Sequence, residues 1–327
     1  ILDENYLKSI SNKVNLVVLN VNKVRYSVLS LLKYIYKKKP KTFLVFNYEL
    51  SVILLIIRYL FNVNFKVIAR NNSTFSHIPE QLSKDNLWKK YVFLPLLKIF
   101  YCKSDYIINQ CKAMQEDLIR YYPEITSKTN VIYNPVAKYI ESFAINNDLL
   151  KIKKKNYLLC VGRLEKEKAF HYAIKAFAEL SSEFPKLRLK IVGKGSLEKK
   201  LKQFAKNYKI HDRVDFEGFK KNLVPYYIHA KATILTSLFE GFPNVLIESI
   251  FLNTPVVAFD CKSGPSEIID NGINGYLVKY QDVEELKKKI SIIISGAFYN
   301  KKFNHTVIRN NLEEVSQNYE KFILSLI

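Results

Sequence analysis

The sequence predicts an α/β fold built from two Rossmann-type domains. Short apolar runs alternate with amphipathic stretches along both halves, and the apolar residues of those stretches recur at helical spacing. The length, 327 residues, is enough for two domains with separate cores. Strands alternating with helices imply a mostly parallel sheet covered on both faces, and such sheets bind ligands at the carboxyl ends of their strands.

In the first half, residues 14–19, 42–46, 65–69, 106–109 and 130–133 read as short buried strands, with amphipathic helices over 28–37 and 51–61. Asn134-Pro135 is a turn signal, and the polar, Lys-rich stretch after it reads as an interdomain linker. In the second half, residues 157–161, 187–192, 214–216, 232–236, 255–259 and 276–278 read as strands. Phe170, Ile174, Phe177, Leu180 and Phe184 share one face of the helix between the first two. The expected domains are 1–134 and 156–300, with a linker over 135–155. A helix over 301–327 is expected to pack back toward the N-terminal domain.

Hydrophobic residues make up 48% and charged residues 25%, which excludes a disordered or collagen-like chain. Lys and Arg number 51 against 30 Asp and Glu, a net charge of +21. That excess suits nucleotide phosphates, acidic lipid surfaces or nucleic acid. An AT-rich coding bias toward Lys, Asn and Ile is the competing source of it. Cys102, Cys111, Cys160 and Cys261 have neither metal-ligand nor redox spacing, so a reducing cytoplasm is the expected setting. The most apolar run, residues 50–61, contains Arg58 and falls short of the roughly 20 residues that span a bilayer.

Two segments carry candidate chemistry. Gly162, Arg163 and Lys168 follow the first strand of the second half. The glycine admits close backbone approach, and the planar guanidinium with a point-charge ammonium suits a diphosphate. A solvated basic turn is the alternative. The second segment is Glu240-Gly241-Phe242-Pro243-Asn244-Val245-Leu246-Ile247-Glu248. A helix is expected to begin near Pro243, since Pro is favoured at the first helical position. Its free amides would form an anion site, with Glu248 placed for two ribose hydroxyls and Glu240 for a transferred sugar.

These segments resemble glycosyltransferase family 4, which has the GT-B fold of two Rossmann-like domains facing across a cleft. The matching motifs are VGRLEKEK at 161–168, VGKG at 192–195, VDFEGF at 214–219, EGFPNVLIE at 240–248 and SGPSEIIDNGINGYLV at 263–278. Looser matches lie at 39–46 and 130–136. The resemblance implies that Arg163 and Lys168 bind the donor diphosphate, that Glu240 contacts the donor sugar and that Glu248 contacts the ribose. The backbone of Gly241, Phe242, Pro243 and Asn244 would face the phosphates, and Gly218-Phe219 would border the base. Glu240, Arg163 and Lys168 are the catalytic candidates.

The sequence also departs from the family. Members begin with a strand and a Gly-rich loop that nothing before residue 14 supplies, so the N-terminal domain is expected to be truncated. Where many members place a His, this chain reads Arg70-Asn71-Asn72, and Arg70 or Asn72 is the acceptor-side stand-in. Nearby His77 reads as a solvated loop residue. No Asp-x-Asp occurs in the sequence. No metal and no cofactor are therefore expected, and cations with a helix terminus would neutralise the leaving group.

The resemblance thus implies a retaining, metal-independent hexosyl- or N-acetylhexosaminyltransferase. Its donor would be a UDP-sugar and its acceptor a polyprenyl-diphosphate-linked glycan in capsule, O-antigen or related surface polysaccharide synthesis. Residues 84–103 mix Trp88, Tyr91, Phe93 and Tyr101 with Lys84, Lys89, Lys90, Lys98 and Lys103. That pattern fits an anionic membrane surface, against the alternative of a core-packed helix pair with a solvated Lys face. The expected location is the cytoplasm, peripheral at the inner face of the cell membrane. A nucleotide-sugar epimerase of similar architecture is one rival, without its acid/base pair in view. A nucleic-acid-binding protein is another. Lysines spread along the chain, with no basic stripe or recognised module, speak against a nucleic-acid partner.

Overall fold

A computed structural model describes residues 13–78, 87–296 and 309–326. Its strands form two parallel sheets, of four and six strands. The chain divides into two compact units, residues 1–70 with 87–106, and residues 71–86 with 107–327.

The first unit contains helix α1 (Val28–Lys38), strand β1 (Thr42–Val45), helix α2 (Tyr48–Phe61), strand β2 (Lys66–Arg70) and helix α3 (Leu94–Phe100). Strands β1 and β2 are parallel, with Thr42 opposite Lys66 and Val45 opposite Ala69. Helix α2 starts where the Asn47 side chain accepts a bond from the Leu50 amide at 3.0 Å. It buries Leu54, Leu55 and Ile57 against Leu31, Ile35, Val45 and Val67. Arg58 on the same helix pairs with Asp105, whose carboxylate also accepts from the Val67 amide at 2.7 Å.

The strand expected over 14–19 does not form. That segment is irregular, and Val14, Leu16 and Val17 are exposed. An apolar run supplies β propensity, but a strand exists only where a neighbour takes its backbone bonds. Of the basic-aromatic segment 84–103, Lys84 lies outside the described residues. In the remainder Phe93, Leu97 and Tyr101 are buried, while Leu87, Tyr91 and Ile99 are exposed beside Lys90. The segment is neither a plain core helix nor a plain surface one.

After residues 71–86, the second unit continues from strand β3 (Tyr106–Asn109), whose first residue ends the first unit, into helix α4 (Lys112–Tyr121), strand β4 (Thr129–Val131) and helix α5 (Lys138–Asn146). Strand β4 runs parallel to β3. Helix α5 lies inside the stretch that reads as a linker, and its Ile140 is buried. There follow β5 (Tyr157–Val161), α6 (Phe170–Leu180), β6 (Arg188–Val192), α7 (Glu198–Asn207) and β7 (Val214–Gly218). The chain continues through α8 (Val224–His229), β8 (Ala232–Leu235), α9 (Asn244–Phe251), β9 (Val256–Phe259), α10 (Pro265–Ile268), β10 (Gly275–Val278) and α11 (Val283–Ile294). Helix α12 (Leu312–Leu324) closes the described chain, and its first amide donates to Glu141 of α5 at 2.9 Å.

The six-stranded sheet has the order β10-β9-β8-β5-β6-β7. Side chains of β5 alternate between its faces. Leu158 and Cys160 join α6 and α11 in one core, and Leu159 and Val161 join α8 and α9 in the other. The chain leaves β5 toward β6 and β7, then returns to place β8 on the other side of β5. That reversal makes a switch point at the carboxyl ends of β5 and β8, where open α/β sheets hold ligands.

Candidate functional site

All the residues assembled below, Arg70 and Phe46 apart, belong to the second unit. Two loops meet at its switch point. Gly162 to Ala169 follow β5, and Thr236 to Pro243 follow β8. They are tied together, since the Leu238 amide donates to the Glu167 carbonyl at 2.8 Å and Thr236 Oγ1 donates to the Lys168 carbonyl at 3.2 Å. A polar cavity of about 530 Å³ lies here, lined by Asn72, Ser73, Arg163, Glu165, Glu167, Lys168, Phe239, Glu240 and Gly241.

Within it, Lys168 Nζ donates to Glu240 Oε1 at 2.6 Å, and both side chains are largely buried. Ser237 Oγ donates to the same oxygen at 2.6 Å. Arg163 is held differently. Its guanidinium pairs with Glu167 at 2.6 Å, and its side chain is 74% exposed. The backbone carbonyl of Glu240 accepts from Ser263 Oγ at 2.7 Å and from Thr74 Oγ1 at 2.9 Å, so two buried hydroxyls fix that peptide.

Arg163 also lines a second cavity, of about 410 Å³, with Gly162, Val192, Lys194, Phe219 and Leu223. This one is mainly apolar. Phe219 is 69% exposed and follows Gly218, whose φ is +68°. An exposed ring in an apolar cleft beside a cationic, polar one suits a planar base joined to a charged group.

Helix α9 starts one residue later than the proline rule predicts. Pro243 precedes the helix, with φ −74° and ψ 96°, and Asn244 is its first residue. Pro243 rests on Gly264, which adopts φ +93°. A Cβ there would lie 2.6 Å from Pro243 Cδ, so only glycine fits. Phe242 turns inward and meets Tyr133 at 5.3 Å between ring centroids. Glu248 accepts from the hydroxyl of the buried Tyr227 at 2.9 Å. Burial raises the Glu248 carboxyl above its ordinary range, against the lowering effect of that bond.

Asn72 lines the polar cavity, as Arg163, Lys168, Glu240 and Gly241 do. Arg70 lies in the first unit, its guanidinium 5.3 Å from the Phe46 ring centroid. His77 is not simply solvated, because its ring stacks on Phe239 at 4.7 Å. Cys111 Sγ donates to the Gly241 carbonyl at 3.5 Å, and burial pushes its thiol up to about 12, which keeps it a poor nucleophile.

Sequence reasoning missed Glu167, Ser237, Thr74 and Ser263. It also missed a row of amides. Gln110 Nε2 donates to Asn72 Oδ1 at 3.1 Å, while Asn134 Nδ2 donates to Gln110 Oε1 at 3.0 Å and to Asn244 Oδ1 at 2.8 Å. One signal was available for Gln110, which directly follows the carboxyl end of β3 as Gly162 follows β5.

A family model described as glycosyl transferases group 1 matches residues 142–312. Among similar proteins, the Campylobacter jejuni N-acetylgalactosamine-N,N'-diacetylbacillosaminyl-diphospho-undecaprenol 4-alpha-N-acetylgalactosaminyltransferase is 32% identical over 202 residues, 62% of this chain and 54% of that protein. The amylovoran biosynthesis glycosyltransferase AmsD of Erwinia amylovora is 25% identical over 316 residues, 93% of this chain and 82% of that protein. An uncharacterized glycosyltransferase of Methanocaldococcus jannaschii, MJ1059, is 29% identical over 219 residues, 65% and 52% of the two chains. The chain spans about half the length of several of the curated relatives it matches.

Among solved structures, the lipopolysaccharide outer core galactosyltransferase WaaB in its apo form superposes with a TM-score of 0.75 at 19% identity, covering 100% of this chain and 87% of that one. Anabaena Alr3699/HepE in complex with UDP-glucose gives 0.72 at 20% identity, covering 91% and 82%. At such identities the likeness establishes the fold, two Rossmann-like α/β domains of the GT-B type.

Proposed function

Because this chain belongs to the group 1 glycosyl transferases, we propose that it moves a hexose or N-acetylhexosamine from a UDP-sugar to a polyprenyl-diphosphate-linked glycan, with retention of anomeric configuration. The observation that carries this reading is the pair of cavities sharing Arg163, one polar and one apolar. A nucleotide-sugar needs both. The base stacks on Phe219, the diphosphate meets Arg163 and Lys168, and the sugar reaches Glu240. Gly162 and Gly218 admit the nucleotide's close approach, the backbone from Gly241 to Asn244 faces the phosphates, and Glu248 takes the ribose. Asn72 or Arg70 serves the acceptor side.

In the transfer, the bond from the sugar's anomeric carbon to the diphosphate oxygen breaks. The acceptor oxygen bonds to that carbon on the same face, and its proton passes to a phosphate oxygen. Arg163 and Lys168 stabilise the charge that develops on the departing UDP, so the reaction needs no divalent ion. A carboxylate whose Oε1 is held by Lys168 and Ser237 keeps Oε2 for a sugar hydroxyl.

Undecaprenol-linked substrates in the relatives' names, exopolysaccharide relatives and a UDP-bound structural neighbour support the acceptor and the donor. The exposed Leu87, Tyr91 and Ile99 with Lys90 support an anionic membrane surface as a partner and a peripheral place at the cytoplasmic face. Among the described residues, no helix is long and apolar enough to cross a membrane. The test is titration calorimetry with UDP, UMP and uridine, followed by transfer assays with EDTA on polyprenyl-diphosphate-linked sugars. UDP should bind tightest, and EDTA should leave transfer intact. Equal binding of UDP and uridine, or a strict Mg²⁺ or Mn²⁺ requirement, overturns the proposal.

A further inference from the structure

The amide row described above joins a residue that lines the polar cavity, Asn72, to the start of α9. Asn72 stands on the loop after β2, and Asn244 is the first residue of α9. Gln110 and Asn134 lie between them, both buried, at 6% and 8% exposure. Each follows a strand of the N-terminal sheet, β3 and β4, and neither lines the polar cavity. The bonds run outward from Asn134, which donates to Gln110 and to Asn244, and Gln110 donates in turn to Asn72. Asn134 is itself anchored, since its backbone carbonyl accepts from Asn310 Nδ2 at 2.8 Å. The packing leaves the loop little slack. A Cβ on Gly241 would lie 3.1 Å from the Asn72 carbonyl oxygen and 3.5 Å from Ser73 Cα.

We propose that Gln110 and Asn134 are positioning residues for the transfer step, whose amides tie the Asn72 loop, on the wall of the polar cavity, to the tip of α9. This rests on the reading of the cavity as a nucleotide-sugar site. A buried amide satisfied at both ends is rigid, because breaking either bond strands a polar group away from water. The loop is thereby fixed relative to the helix tip before any ligand arrives. Of the residues assigned to the nucleotide, the row touches only Asn244, and that bond comes from Asn134, so losing Gln110 frees the Asn72 loop and leaves the phosphate side in place. Loss of Gln110 should therefore spare nucleotide affinity and harm turnover.

The experiment compares the full chain with its Gln110→Leu and Gln110→Glu variants. UDP binding is measured by calorimetry, and turnover of UDP-glucose, UDP-galactose and UDP-N-acetylgalactosamine is followed as transfer or donor hydrolysis. Gln110→Leu should bind UDP within about threefold of wild type while kcat falls about tenfold or more. Gln110→Glu keeps the bond from Asn134 and accepts from a turned Asn72 amide, so it should recover much of the loss. Unchanged kcat in Gln110→Leu overturns the proposal, as does a parallel fall of UDP affinity and melting temperature with kcat. If wild type binds UDP but turns over none of the donors, the transfer reading fails by itself, and hydrogen exchange over residues 71–78 decides the positioning claim. Faster exchange there in Gln110→Leu, with 214–223 unchanged, supports it. Unchanged exchange over 71–78 refutes it.

Discussion

Arg163 and Lys168 carry the same charge but are held by different kinds of bond. The Lys168 ammonium sits in a mostly buried pair with Glu240, and the Arg163 fork lies in an exposed pair with Glu167. Exposed pairs contribute little, so on the proposed reading UDP would displace Glu167 at small cost. Glu167→Gln should accordingly tighten UDP binding only about twofold at low salt, with the difference vanishing at high salt, as calorimetry would show. On the proposed reading, Lys168→Ala removes a charge-assisted bond to phosphate, and it leaves Glu240 Oε1 with Ser237. UDP affinity should fall about 10- to 100-fold while uridine affinity barely moves. Equal losses for the two ligands would mean that Lys168 does not meet the phosphates.

Element ends decide the next scale. The turn before α10 holds Gly264 in a conformation that side chains avoid, directly beneath Pro243 at the tip of α9. Gly264→Ala should cost at least about 1–3 kcal/mol in urea unfolding and weaken UDP binding by shifting that tip. Inside α9, burial raises the Glu248 carboxyl. The folded state then holds the proton more tightly than the unfolded chain. The stability this contributes is complete below the ordinary carboxylate pKa and is lost as pH rises through the raised one. Glu248→Gln should remove that loss, so its melting temperature gains on wild type as pH rises from acid to neutral. A constant difference across pH would show that Glu248 titrates normally.

Much of this was legible in the sequence. The strands of the second half stand out as apolar runs, and Gly162, Arg163, Lys168 and Glu240 are legible as residues of the loops that follow two of them. The segment 14–19 reads the same way and forms no strand, because a run of residues does not reveal whether a neighbour pairs with it. Tyr227 beneath Glu248, and Gln110 beside Asn72, come from distant elements. No local pattern links them, and packing alone places them.

For the molecule as a whole, charge and burial set the conditions under which it is stable. Lys154 is half-buried, its ammonium donates to Thr254 Oγ1 at 2.5 Å, and burial, aided by Lys231, lowers its pKa to about 7. The folded protein binds that proton less tightly than the unfolded chain, so stability falls as pH drops toward 7 and the penalty is full below it. Lys154→Met should raise the melting temperature most below pH 7, with the gain shrinking toward pH 10. A gain independent of pH would place the ammonium in water. The net charge of +21 should add a salt-sensitive attraction to anionic vesicles if the chain meets a membrane as proposed, which co-sedimentation at rising salt would measure. The strand order β10-β9-β8-β5-β6-β7 also bears on how the chain is made. Of these six strands β5 emerges first from the ribosome, yet it lies inside the finished sheet. Its flank toward β6 fills early, while its other flank waits for β8 and all the chain between them. Until then a central, fully apolar strand shows an open edge, so the nascent chain is most exposed to misassociation in the interval before residues 232–235 are translated.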